Sequence, residues 1–319
     1  MAFCVLITGG SGFIGSHLVE AILRTGGAVR VLDNFSTGRR ENLQEVLQHS
    51  RHQPGFTMIE GDIIHRQTVQ EAMRGVDYVL HQAALPSVPR SVADPLSSNR
   101  VNVEGTLNVL VAARDAGVKR VVYASSSSVY GDSPTLPKTE DMPTYPLSPY
   151  AVSKLAGEAY CRAFTRVYGL ETVALRYFNV FGPRQDPLSP YAAVVPRFIA
   201  ALLQHHAPVI FGDGKQSRDF TFIANVVQAN LLAMRAPGVA GEVFNVACGE
   251  SIDLLTMLDF LIECLGQAID PQFQAPHAGD VRHSLADISK ARRMLGYQPV
   301  ITFREGLQQT VAYLCQRRV

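Results

Sequence analysis

Phe3-Cys4-Val5-Leu6-Ile7-Thr8-Gly9-Gly10-Ser11-Gly12-Phe13-Ile14-Gly15-Ser16-His17-Leu18 is the stretch that decides the fold. An apolar run of strand length stops at a glycine-studded turn, and a helical pattern (Phe13, Leu18, Ala21, Ile22) starts at once. Gly9, Gly12 and Gly15 stand in a G-x-x-G-x-x-G spacing. Missing side chains there let the backbone approach a pyrophosphate, while the helix N-terminus points its free N–H groups at the charge. The next apolar run, Val29-Arg30-Val31-Leu32, ends in Asp33, eighteen residues past Gly15. A carboxylate at that place accepts both hydroxyls of an adenosine ribose and repels a 2'-phosphate, so NAD is favoured over NADP. Arg39 and Arg40 follow; they could touch a 2'-phosphate, but they read as solvated arginines at the start of a helix.

Working outward, strands are expected at 56–62, 76–82, 120–125 and 171–179, with helices at 67–73, 102–116 and 149–168 between them. Pro86, Pro89 and Pro95 mark a loop before the helix over 102–116, and Gly169 ends the helix that Pro149 begins. Alternation with short connections predicts an α/β protein with a doubly wound parallel (Rossmann) sheet. A dinucleotide would lie along the carboxyl edge, where Ala83 and Ala84 follow one strand and Asn34, Asp62 and Ile63 follow others. Beyond Pro183 the pattern loosens into shorter elements separated by Pro/Gly-rich loops. The expected division is an NAD-binding domain over 1–178 and a smaller α/β lobe for substrate over 179–319, some segments of which return to the first domain. The last helix, over 304–316, is expected to be a lid or a packing helix.

Composition narrows the class. The 319 residues are 47% hydrophobic and 18% charged with a net charge of +1, and no long basic run occurs. That describes a globular enzyme, and it disfavours nucleic acid or anionic membrane as partners. The five cysteines are scattered without a C-x-x-C pair, so reduced thiols and no metal site are expected. The N-terminus runs straight into the glycine turn and no apolar run approaches membrane-spanning length, which makes the cytoplasm the default location.

The chemistry lies in Tyr150-Ala151-Val152-Ser153-Lys154, which sets a phenol and an ammonium four apart on one helical face. A lysine about 5 Å from the phenol at an effective dielectric of about 20 is worth roughly 3 kcal/mol, or roughly two pKa units. An oxidised nicotinamide adds to this, carrying the tyrosine toward neutrality as a usable base. Y-x-x-x-K alone occurs by chance on many helices. Ser125-Ser126-Ser127-Ser128, however, closes a strand at the same carboxyl edge, where it can meet Tyr150.

These residues resemble the extended short-chain dehydrogenase/reductase superfamily, and within it the UDP-glucose and UDP-N-acetylglucosamine 4-epimerases. The resemblance covers nearly the whole chain. It runs through the glycine turn, His81-Gln82-Ala83-Ala84, Ser125 to Gly131, Ser148 to Lys154, Leu175-Arg176-Tyr177-Phe178-Asn179, Gly182-Pro183-Arg184-Gln185, Ser217-Arg218-Asp219-Phe220, and Gly279-Asp280-Val281-Arg282-His283-Ser284. It implies NAD-dependent 4-epimerisation of UDP-hexoses through a transient 4-keto sugar. Tyr150, helped by Ser126, would take the proton of the 4-hydroxyl, and Lys154 would lower the tyrosine pKa and hold the nicotinamide ribose. Gly9, Gly12, Phe13, Ile14, Gly15, Asp33, Asn34, Asp62, Ile63, Ala83, Ala84, Asn102, Tyr150, Lys154 and Tyr177 would form the NAD site. Asn179, Arg218, Asp280 and Arg282 would hold the UDP group, while Ser87, Ser126, Ser127, Ser128 and Tyr150 would face the sugar.

The same resemblance separates the alternatives. Sugar 4,6-dehydratases carry an acid pair where this chain has Ser127 and Ser128. UDP-glucuronate 4-epimerases tend to have threonine at Asn179, and UDP-glucuronate decarboxylases share less of the Ser148 to Lys154 context. A non-catalytic nucleotide sensor would have lost Tyr150 or Lys154. Ser284 stands where a bulky tyrosine excludes an N-acetyl group, so its small side chain implies room for UDP-GlcNAc and UDP-GalNAc beside UDP-Glc and UDP-Gal. His277, in place of an arginine, and Pro86, in place of glycine or lysine, depart from the pattern. A homodimer is implied, built on the helices over 102–116 and 149–168.

Overall fold

The computed structural model describes residues 3–49, 55–187, 189, 192–267, 269–275 and 282–317. The first strand, β1 (Cys4–Thr8), is followed by helix α1 (Phe13–Arg24), and then by β2 (Ala28–Asp33), β3 (Phe56–Glu60), β4 (Tyr78–His81), β5 (Arg120–Ser126) and β6 (Glu171–Tyr177). With the strand Val243–Val246 these make one parallel sheet in the order Val243–Val246, β6, β5, β4, β1, β2, β3. Both faces of a parallel sheet are covered by helices, so its strands must be apolar on both. Thus Val5 and Ile7 enter one buried core and Leu6 the other. The connection reverses direction at β1, which pairs with β2 on one side and β4 on the other. Thr8 lies level with Leu32 and His81, so three loops open on one crevice at the switch point.

The glycines of the first turn make that crevice. Gly9 has φ +69°, and a Cβ there would sit 2.8 Å from the Ala83 backbone. A Cβ on Gly15 would sit 2.1 Å from the Gly9 carbonyl oxygen. A side chain at Gly15 would push α1 away from the end of β1, and one at Gly9 would push away the loop after β4.

The helix Pro149–Tyr168 carries the YxxxK residues. Ser148 Oγ caps it by accepting from the Ala151 N–H (3.2 Å), the buried Ser91 Oγ accepts from the Tyr150 N–H (3.0 Å), and Gly169 at φ +72° ends it. Gly157 lets the helix lie flat on β5, because a Cβ there would fall 2.2 Å from Tyr123 Oη.

The stretch read as a proline-bearing loop is helical instead, with helices Val88–Ala93 and Pro95–Asn99 running into a π-turn at Arg100–Glu104 and the helix Gly105–Asp115. Pro89 and Pro95 occupy first turns, where a missing N–H leaves no bond unmade. Ser87 and Asp94 cap those turns.

In the second half, helix Ile223–Arg235 packs on the main sheet and Val243–Val246 extends it. Short two-stranded pairings such as Ser217–Arg218 with Ile252–Asp253 build the rest. The terminal helix Phe303–Gln316, with a Thr302/Glu305 capping box, buries Phe303, Leu307, Val311 and Leu314 and is a packing helix. No described helix is long and apolar enough to cross a membrane.

Gly157→Ala should lower stability by about 1–3 kcal/mol, because Tyr123 is fully buried and has nowhere to move. Urea unfolding checks this, and an unchanged midpoint would mean that the helix can lift from β5 without loss.

Candidate active site

A cleft of about 700 Å³ opens at the switch point. Its wall takes in Gly9, Gly12, Phe13, Ile14, Gly15, Asp33, Asn34, Asp62, Ile63, Ala83, Ala84, Ser87, Tyr150, Lys154 and Tyr177. Both oxygens of Asp33 are fixed by backbone donors, Ser11 N–H (2.8 Å) and Phe35 N–H (2.8 Å), and the residue lines the cleft. Burial pushes the Asp33 carboxyl up, and those two N–H groups draw it back. Asn34 donates to Asp62 Oδ2 (2.7 Å), which ties the loops after β2 and β3 together. A bare glycine turn at a helix N-terminus beside such an acid suits a dinucleotide pyrophosphate and an unphosphorylated ribose. Among the described residues no group of three or more His, Cys, Asp or Glu is placed to hold a metal.

Asn102 lies behind the cleft wall and is buried. Its Oδ1 accepts from Leu85 N–H (2.7 Å), and its Nδ2 donates to Leu85 O (3.1 Å) and Ser153 Oγ (3.1 Å). It therefore positions the loop after β4 rather than facing the cleft. His81 sits beneath that loop between Thr8 and Thr106. The Thr106 hydroxyl donates to Asn102 O, so it accepts from His81 Nε2–H (3.0 Å), and Thr8 Oγ1 in turn donates to Nδ1 (2.7 Å). Burial, aided by the charge of Lys154, holds His81 neutral with a pKa down at about 3.

Tyr150 and Lys154 share one face of their helix, with Lys154 Nζ 5.8 Å from the Tyr150 ring centroid and 5.2 Å from that of Tyr123. Nζ donates to Ala124 O (2.8 Å), and burial pushes the ammonium down to about 8. Two aromatic faces and one carbonyl thus support the cation. Ser126 Oγ accepts from Ser128 N–H (3.2 Å) and Ser128 Oγ (2.9 Å), and bonds the Tyr150 hydroxyl. With both lone pairs engaged, its own proton points at the phenol oxygen. Burial nevertheless pushes the Tyr150 phenol up, with the Ser126 bond offsetting part of it. The sequence expectation of a tyrosine carried toward neutrality is not met by these residues alone, because desolvation outweighs the bond from Ser126.

The residues expected to hold UDP form a second group. Asn179 Nδ2 donates to Asp219 O (3.0 Å). Arg218 donates to Ser217 O (2.9 Å) and Arg282 O (3.1 Å), and Ser284 N–H donates to Ser217 O (3.0 Å). Arg282 itself pairs with Asp213 (2.7 Å). Asp280 and His277 lie outside the described residues.

Sequence reasoning missed the buried hub of this second group. Asp219 accepts from the N–H groups of Cys248 (2.9 Å), Gly249 (3.0 Å) and Ala286 (3.2 Å), and burial pushes it up to about 6. It also missed Gln82 and Asn230, whose amides hold the Tyr177 hydroxyl. An acid directly after Arg218 was the signal for the first and the run His81-Gln82-Ala83-Ala84 that for Gln82; nothing local marked Asn230.

The chain matches the NAD-dependent epimerase/dehydratase family over residues 5–247. It is 40% identical to a UDP-glucose 4-epimerase of Mycolicibacterium smegmatis over 97% of each chain. Among solved structures it is similar to a UDP-N-acetylglucosamine 4-epimerase from Methanobrevibacter ruminantium in complex with UDP-N-acetylmuramic acid, with a TM-score of 0.93 and 40% identity over 99% of this chain and 100% of that one. It is also similar to the Thermotoga maritima UDP-glucose 4-epimerase with UDP-glucose, with a TM-score of 0.92 and 36% identity over 99% of each chain.

Lys154→Met should stabilise the cofactor-stripped protein at pH 7 by about 2–3 kcal/mol. Between the folded pKa of about 8 and the ordinary 10.5, the unfolded chain binds a proton that the folded one does not, so wild-type stability rises across that window. The advantage of the methionine variant should therefore shrink from pH 8 to pH 10. Parallel urea titrations test this, and a pH-independent difference would mean that Lys154 is solvated.

Proposed function

This chain belongs to the NAD-dependent epimerase/dehydratase family, and from that premise we propose that it is a UDP-hexose 4-epimerase. The substrates we assign are the pairs UDP-GlcNAc/UDP-GalNAc and UDP-Glc/UDP-Gal. The observation that carries the reading is the hydroxyl chain from Ser128 through Ser126 to Tyr150, with the buried Lys154 cation beside it.

Tyr150 removes and returns the proton of the sugar 4-hydroxyl. Its phenolate is stabilised by the hydrogen bond from Ser126 and by the field of Lys154, which is strong because the site is dry. The cleft of the glycine turn, Asp33, Tyr150 and Lys154 would hold NAD, which would supply a reversible hydride acceptor for C4 and so give a 4-keto sugar. Inversion then requires the hexose to turn while its nucleotide stays in place. Asn179, Arg218, Asp280 and Arg282 are the residues we assign to that grip, with Asp219 positioning the strands beneath them. For this, Arg282 exchanges Asp213, and Arg218 its carbonyls, for phosphate. Serines at 127 and 128 leave no acid pair for eliminating water, which favours epimerisation over dehydration. Exposed Leu96, Leu147 and Val152 beside the start of the long helix support a homodimer as part of the same reading.

Proton NMR of the protein with UDP-GlcNAc and no added cofactor should show UDP-GalNAc signals growing in. Conversion of UDP-glucuronate alone would overturn the substrate assignment. Tyr150→Phe should reduce kcat by about 10²–10⁴ while NAD stays bound. Ser284→Tyr should lose the acetamido pair and keep the plain hexoses. Equal loss of both would show that Ser284 does not face the sugar.

A further inference from the structure

Asp33 is flanked by two arginines, yet neither offers the cleft an unbalanced positive charge. Arg40 pairs with Glu60 (2.6 Å), the register partner of Asp33 on β3, and stacks over the Phe35 ring with its guanidinium carbon 3.9 Å from the centroid. Arg39 pairs with Asp186 (2.5 Å), which is 147 residues further along the chain, and both residues line the cleft.

Arg39 is held close to the ribose acid. Its N–H donates to Ser11 O (2.9 Å), and the preceding Gly38 lies so near that a Cβ there would sit 3.0 Å from Asp33 Oδ2. A guanidinium in that place could reach a 2'-phosphate and bind it bidentately. Asp186 takes that role instead.

The loop bearing Asp186 is anchored at its root. Pro183 O accepts from His17 Nε2 (2.9 Å), and Arg184, with a left-handed backbone (φ +67°) and a side chain only 6% exposed, pairs with Glu20 (2.7 Å) and Glu45 (3.3 Å). The loop is therefore anchored to α1 and helix Arg40–His49 two residues before Asp186, which sets the acid opposite Arg39.

We infer that Asp186 is a second determinant of the preference for NAD over NADP, acting by occupying Arg39. Asp33 repels the 2'-phosphate; Asp186 withholds the cation that would otherwise compensate. A phosphate of roughly two negative charges then meets Asp33, Asp62 and two neutralised arginines. The inference goes beyond the epimerase reading, since it concerns only which dinucleotide the cleft selects.

The test reads bound nucleotide rather than turnover. Cofactor-stripped protein is equilibrated with equal NAD and NADP, separated from free nucleotide and denatured, and the released dinucleotides are quantified. Asp186→Asn and Asp186→Ala should each raise the NADP:NAD ratio about tenfold. The same gain should appear over an Asp33→Asn background, where the starting ratio is higher and easier to read. Adding Arg39→Ala should abolish the gain, and Asp186→Glu should keep the wild-type ratio. An unchanged ratio in both Asp186 variants would overturn the inference. So would a gain that survives Arg39→Ala, because net charge alone would then explain it.

Discussion

Between Gly15 and the carbonyl oxygen of Gly9 there is space for a hydrogen atom and no carbon. That one close approach lets α1 begin directly at the end of β1, and so aims its free N–H groups across the crevice between β1 and β4. The rest of the site is arranged about this point. Asp33 is fixed by the N–H of Ser11 within the same turn, the loop after β4 is held against Gly9, and Arg39 hangs from Ser11 O. A single methyl group at either glycine would disturb the cofactor cleft on three sides.

The second constraint is electrostatic. Lys154 is a cation buried without a carboxylate partner among the described residues, and Tyr150 is a phenol raised by burial. Each is unfavourable as an isolated fold element, and each becomes useful when a sugar hydroxyl must give up a proton in a dry pocket. The carboxylate that could have neutralised Lys154 is turned elsewhere. Glu158, one turn further along the helix, is held by Arg176 (2.8 and 2.9 Å) and by Ser125 (2.5 Å). The acid next in line thus orders the end of β5 and is not available to pair with Lys154.

What could be read from the chain alone follows from how local each signal is. The glycine turn, Asp33 and the Tyr150/Lys154 spacing are patterns within single elements, and they stand together at the cleft. The helices at Val88–Ala93 and Pro95–Asn99 were hidden because prolines read as breaks, although a proline in a first turn breaks nothing. Asn102 was placed one layer too far forward, since nothing in its neighbourhood shows that a π-turn directs its amide to Leu85. Asp219, Asn230 and Asp186 act across tens to more than a hundred residues of separation. Their partners are chosen by tertiary packing, which no periodicity records.

The edge strand Val243–Val246 has a consequence for how the molecule comes into being. It pairs with β6, so after residue 177 has left the ribosome the sheet still presents an open row of N–H and C=O groups. That edge stays uncovered until some seventy further residues have been made, at a pace of roughly 5–20 per second. The nascent chain therefore passes through several seconds in which β6, with Val173, Ala174 and Leu175 at its centre, is a template for any passing strand. Demand for chaperone protection should concentrate in that interval, and cutting the gene at the apparent end of the nucleotide-binding half would make the exposure permanent.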